Sequence, residues 1–212
     1  MIDLILFDLD GVLVDSEPIA TRVLRGVLAD AGLPMSEAEV ERVFLGRSRG
    51  ESVTIIEERL GRRVPEGFTA DWQERILGAL RQELKPVPGV AAALDRLSVP
   101  VCVAWGSDPA RIRLSLELAG LLPRFDGRVF SATQVARGKP APDLFLFAAR
   151  SLGAAPERCA VVEDSVLGVM AGVAAGMRVL GYAARSPAEA LARAGATTFD
   201  DMALLPGLIE QM

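Results

Sequence analysis

Apolar residues run almost unbroken from Ile2 to Phe7, with Asp3 the single interruption. A run this short and continuous predicts a strand covered on both faces, because a half-exposed strand would alternate apolar with polar side chains. Similar runs at Val99 to Ala104, Cys159 to Val162 and Arg178 to Tyr182 predict three more such strands. Between the later runs the spacing becomes helical, most clearly over Pro142 to Leu152 and Ser165 to Ala175. Strands alternating with helices predict an α/β fold, a Rossmann-like parallel sheet with helices on both faces. Ligands in such a sheet collect at the carboxyl ends of the strands. Ile112, Leu114, Leu116 and Leu118 alternate as a strand would. Leu, Glu, Arg and Ala dominate that segment, however, and Gly120 supplies a stop, so a helix is expected there.

From Ser16 to Lys85 the rhythm differs. No strand-like run occurs, and Ile19, Val23, Val27 and Ala31 fall on one helical face. This predicts an all-helical domain, residues 16–85, inserted into a core formed by residues 1–15 and 86–212. The insertion closes with Lys85-Pro86-Val87-Pro88-Gly89, whose prolines fix an extended connection suited to a hinge. The apolar stretch from Val166 to Ala184 is long enough to suggest a bilayer span. Gly172 and Gly176 divide it, so it is read as a core helix ending at those glycines and then a core strand.

Composition narrows the function classes. The chain has 212 residues, 50% hydrophobic and 24% charged, which is enough for a sizeable ordered core. A net charge of -5 without a dense Lys/Arg cluster offers no field for nucleic acid. Acidic Asp3 and Asp8 interrupt any secretion signal at the start. Cys102 and Cys159 lie within apolar runs, as reduced core thiols do. These features lead to the expectation of a cytoplasmic protein that binds no membrane; they leave the oligomeric state open, with a monomer as the working expectation.

The candidate chemistry follows the first strand, in Phe7-Asp8-Leu9-Asp10-Gly11. Two carboxylates at the end of a buried strand repel and desolvate each other unless a cation joins them, and magnesium takes such oxygen ligands while keeping waters and phosphate oxygens in its shell. A solvated Asp-Gly turn is the plainer reading of the same string. Gly138-Lys139-Pro140 holds a lysine on a constrained backbone, able to aim its ammonium at a fixed anion or simply to stand in solvent. Glu163-Asp164-Ser165 places a second acidic pair after another apolar strand, where Asp164 or Ser165 could equally cap the next helix.

In this order, Asp8-x-Asp10-Gly, Gly-Lys139-Pro and Glu163-Asp164-Ser resemble the motifs of the haloacid dehalogenase superfamily. The chain looks most like the beta-phosphoglucomutase-like phosphatases, which carry a helical cap after the first strand, and the resemblance covers essentially its whole length. It implies that Asp8 is a nucleophile, Asp10 a general acid and base, and Lys139 the cation facing the transferring oxygens. It also implies Mg2+ held by Asp8, the Asp10 carbonyl and Asp164, with Glu163 as a ligand or just behind, and a small phosphorylated substrate such as a sugar phosphate. The chain has no histidine, so no histidine-based site competes. The sequence departs from the family at Trp105, where a Ser or Thr normally ends the second strand and binds phosphate; Gly106 and Ser107 follow and could supply an amide and a hydroxyl. The loop Gly46-Arg47-Ser48-Arg49-Gly50-Glu51 resembles the family's specificity loop, with Arg47 and Arg49 as candidate grips on an anionic substrate. Ala20 stands where the mutase branch carries a histidine, which favours hydrolysis over a sugar-phosphate mutase. A silent relative that only binds ligand is the reading Trp105 would favour.

Overall fold

The computed structural model describes every residue except Leu45, Gly46, Ser48 and Ser107. Six parallel strands form one sheet in the order β3-β2-β1-β4-β5-β6. They are β1 (Leu4–Phe7), β2 (Val101–Trp105), β3 (Val129–Ser131), β4 (Cys159–Glu163), β5 (Arg178–Tyr182) and β6 (Thr197–Phe199). Helices α1 (Glu17–Asp30), α2 (Glu37–Phe44), α3 (Arg49–Leu60) and α4 (Phe68–Glu83) lie between β1 and β2 in the chain, followed by α5 (Val90–Arg96). Then come α6 (Pro109–Leu118), α7 (Asp143–Ser151), α8 (Val166–Ala174), α9 (Ala188–Ala194) and α10 (Leu205–Glu210).

The chain divides into two compact units, Met1–Asp15 with Lys85–Met212, and Ser16–Leu84. In the first, every residue of β1 is buried, as the continuous apolar run requires. Leu4 and Leu6 join Cys102, Ala104 and Phe130 on one face, against Leu144, Phe145 and Ala148 of α7, Val169 and Ala171 of α8, and Leu191 of α9. Ile5 and Phe7 point the other way by strand alternation. There Phe7 meets Phe125 edge to face with centroids 6.1 Å apart. The connection out of this unit is tied to the connection back. Val14 bridges to Pro86, the Val87 amide donates to the Leu13 carbonyl, and the Asp15 amide donates to the Lys85 carbonyl.

In the second unit α1 packs on α2 and α4. Its buried side chains are Ile19, Thr21, Leu24, Val27 and Leu28, so the 19-23-27-31 row is only half right. A strict four-residue step drifts about 40° per turn around a helix of 3.6 residues per turn, and the packed stripe follows the i+3/i+4 mixture instead.

One other expectation is revised. Gly172 does not end a helix but lies inside α8, where an added Cβ would press on Val179 and Val161; it lets the helix approach β4 and β5 closely. Gly176, at φ +73°, is the residue that takes the chain out of the helix. Among the described residues no helix is long and apolar enough to cross a membrane, and the stretch from Val166 is α8 followed by β5. Residues 112–118 are helical, within α6. Strands β3 and β6 went unread because three residues carry too little pattern to mark a period.

Candidate active site

The strand order reverses between β1 and β4, and such a switch point opens a crevice at the carboxyl ends of the two strands. Asp8 follows β1 directly and stays in the ladder, its amide donating to the Val162 carbonyl at 3.0 Å. Glu163 ends β4 and Asp164 follows it. Asp8, Glu163 and Asp164 are all buried. Lys139 arrives from the connection leading into α7. Its Nζ donates to Asp8 Oδ1 and, at 2.6 Å, to Glu163 Oε1, and it lies 4.9 Å from the Phe145 ring centroid. The Lys139-Pro140 bond is cis.

Two glycines make room for these carboxylates. Gly11 has φ +78°, and a Cβ there would overlap the Asp164 carboxylate. Asp164 therefore lies directly against the backbone that follows Asp10. A Cβ on Gly168, in the first turn of α8, would overlap the Glu163 carboxyl group. Glu163 is pinned in that slot: its Oε2 accepts from the Ser165 amide and hydroxyl, both at 2.9 Å. Ser165 also caps α8, accepting from the Gly168 amide at 3.0 Å. The role of Gly168 was not read from the sequence, although a glycine early in an otherwise apolar helix is a signal of close approach.

Burial and charge act together on Asp8 and Lys139. Burial pushes the Asp8 carboxyl well above the usual carboxylate range; the Lys139 ammonium pulls it back, and the negative charges of Glu163 and Asp10 push it up again. Burial works against the Lys139 ammonium too, but Asp8 and Glu163 outweigh it and hold the group above its ordinary value. Lys139 thus serves two carboxylates, Asp8 and Glu163. Among the described residues no three His, Cys, Asp or Glu side chains group as a metal site. Both oxygens of Glu163 are engaged, Oε1 by Lys139 and Oε2 by Ser165.

Trp105 ends β2, half-buried, with the Arg111 guanidinium 5.5 Å from its ring centroid. Gly106 is exposed, and Ser107 lies outside the described residues. In the other unit, Arg47 is exposed and donates to the Val43 carbonyl at 2.7 Å. Arg49 belongs to the first turn of α3 rather than to a loop; it donates to Gln73 Oε1 at 2.7 Å and lies 5.8 Å from the Trp72 ring centroid. Gly46 and Ser48 lie outside the described residues.

The family profile for haloacid dehalogenase-like hydrolase matches residues 2–176. The chain is 28% identical over 208 residues to the 6-phosphogluconate phosphatase of Escherichia coli, covering 98% of this chain and 94% of that protein. A haloacid dehalogenase family hydrolase from Deinococcus radiodurans, solved with bound phosphate and sodium, superposes with a TM-score of 0.84 at 35% identity, covering 99% of this chain and 96% of the other. A candidate beta-phosphoglucomutase from Thermotoga maritima gives a TM-score of 0.84 at 28% identity, with all of both chains covered. The six-stranded parallel sheet, the helices between β1 and β2, and these matches lead to one assignment: the chain belongs to the haloacid dehalogenase-like hydrolases, in the branch with beta-phosphoglucomutase-like structural relatives.

Proposed function

We propose that this protein is a magnesium-dependent phosphatase that hydrolyses a small phosphorylated metabolite, a sugar phosphate or related monoester, through an aspartyl-phosphate on Asp8. The observation that carries the reading is the buried cluster in which Lys139 bonds both Asp8 and Glu163 at the switch point of the sheet. A lysine that only solvated a loop would not be drawn into the interior against two carboxylates. The names of the relatives, a 6-phosphogluconate phosphatase and a hydrolase with bound phosphate, support the substrate class.

The donors fit a hard divalent cation: they are all oxygens, and the upward push on Asp8 is what a cation would relieve. Asp8, Asp164 and the Asp10 carbonyl would hold it. When bound, magnesium would offset the repulsion between the Asp8 carboxylate and a phosphate dianion. The remaining roles belong to the chain. Asp8 Oδ attacks phosphorus, and the ester P–O bond breaks as Asp10 gives its proton to the leaving alcohol. Asp10 then takes a proton from water, whose oxygen attacks phosphorus and breaks the P–Oδ bond, releasing inorganic phosphate and restoring Asp8. Lys139 faces the charge that grows on the transferring oxygens, and Glu163, locked by Ser165 in the slot left by Gly168, keeps the ammonium in place.

Release of phosphate from p-nitrophenyl phosphate, with and without magnesium, tests the chemistry. A panel of sugar phosphates that includes 6-phosphogluconate then tests the substrate class. Metal-dependent release is expected; no release from any phosphomonoester with magnesium present would sink the reading in favour of a silent, ligand-holding relative.

A further inference from the structure

We propose that Arg111, held against the Trp105 indole, binds the transferring phosphoryl group at the position where the family's second motif presents a hydroxyl; this rests on the phosphatase reading. The placement comes from strand register. Phe7 pairs with Val103, so Asp8 lies level with Ala104, and Trp105 is one residue further along the neighbouring strand. At a strand spacing of about 4.8 Å and a rise of about 3.3 Å per residue, the Asp8 and Trp105 backbones are roughly 6 Å apart at the carboxyl edge. Alternation puts their faces in order. Ala104 belongs to the core cluster with Phe130 and Phe145, so Trp105 leans to the opposite face, where α6 brings Arg111 over its ring.

Arg111 is half-buried. Its Nε donates to Ser115 Oγ at 3.4 Å, and among the described residues no carboxylate pairs with it. By contrast Arg124, Arg137, Arg158 and Arg185 of the same unit each pair with an aspartate. The indole restrains the guanidinium through a cation–π contact, and among the described residues its Nη donors meet no acceptor, a fork suited to two phosphate oxygens. Lys139, over Phe145, approaches Asp8 from one face of the sheet; Arg111 lies beside Trp105 on the other. A phosphoryl group on Asp8 would then be held between two cations, which removes the need for a hydroxyl at position 105.

The test titrates inorganic phosphate with magnesium against wild type, Arg111→Ala and Arg111→Lys by calorimetry, beside kcat and KM for p-nitrophenyl phosphate. That ester has no second anionic group, so a loss reports on the phosphoryl group itself. Arg111→Ala is expected to weaken phosphate binding and lower kcat/KM by about 100- to 1,000-fold, with Arg111→Lys recovering part of both. If Arg111→Ala does not fold, the comparison of Arg111→Lys with wild type decides. Variants that keep wild-type phosphate affinity and kcat/KM would overturn the proposal, as would a wild type that binds no phosphate. A wild type that binds phosphate but hydrolyses nothing removes the phosphatase reading alone, and the affinity comparison still judges Arg111.

Discussion

Gly168→Ala separates local propensity from the architecture of the site, because the two predict opposite signs. Judged on α8 alone, alanine for glycine inside a helix should stabilise by about 1 kcal/mol. The structure says otherwise, since the new methyl would overlap the Glu163 carboxyl group. Glu163 cannot swing aside cheaply: it is 1% exposed, bonded to the Ser165 amide and hydroxyl, and paired with Lys139. Overpacking a closed core costs about 1–3 kcal/mol. Pushing Glu163 off Lys139 adds part of the roughly 3–5 kcal/mol typical of a broken buried pair. The expected net loss is about 2–4 kcal/mol, which for a domain of this size lowers Tm by roughly 4–16 °C. Turnover should fall with it, because Lys139 loses the carboxylate that orients it. Calorimetry and phosphatase rates on the purified variant provide the check. A variant that melts at or above the parent temperature with unchanged kcat would refute the argument that Glu163 fills the space at Gly168.

Asp8→Asn should abolish turnover while leaving the far-UV spectrum intact; a variant retaining a tenth of the parental rate would exclude Asp8 as nucleophile. Lys139→Met leaves Asp8 and Glu163 buried without their ammonium, so it should lose about 3–5 kcal/mol of stability as well as activity, and a variant as stable as the parent in urea would contradict the buried pairing. Burial, with some help from Asp3 and Glu157, pushes the Cys159 thiol up to about 11, and burial raises Cys102 further still. Both thiols should therefore resist a thiol reagent near pH 8 until the protein unfolds. Between the ordinary thiol value near 8.5 and about 11 the unfolded chain sheds protons that the folded chain keeps, so stability should decline as pH rises through that window. Rapid labelling of native protein would count against it.

Strands β1, β2, β4 and β5 were readable because each lies between neighbours with both faces covered, and that leaves an uninterrupted apolar run. β3 and β6 have three residues each and no such run. The acidic pairs and Lys139 stood out by type and position. Their partners did not, because Lys139 is 131 residues from Asp8 and nothing local says that it would also take Glu163. The glycines were harder still. Gly172 resembles a stop in the sequence and acts as a contact in the fold, since the reason for its missing side chain lies on β4 and β5 rather than on its own helix.

Trp105→Ser tests whether the indole obstructs the phosphate or supports Arg111. A serine there restores the hydroxyl that the family's motif presents, and if the indole fills the phosphate pocket the variant should be faster. The structure favours another outcome, because the indole leans toward α6 and carries the Arg111 guanidinium at 5.5 Å. Removing the ring releases Arg111 from its platform, so the variant gains one donor and loses the alignment of a charged fork, and charged hydrogen bonds are roughly twice as strong as neutral ones. The exchange should lower kcat/KM rather than raise it, while Trp105→Phe, which keeps an aromatic face, should stay near the parent. The stability cost should also be smaller than the 3–5 kcal/mol typical of a fully buried aromatic, since Trp105 is only half-buried and an exposed cation–π contact contributes about 0.5–1 kcal/mol. Steady-state kinetics and melting curves of both variants decide the matter: a faster Trp105→Ser enzyme would show that the indole obstructs the phosphate and that Arg111 does not need it.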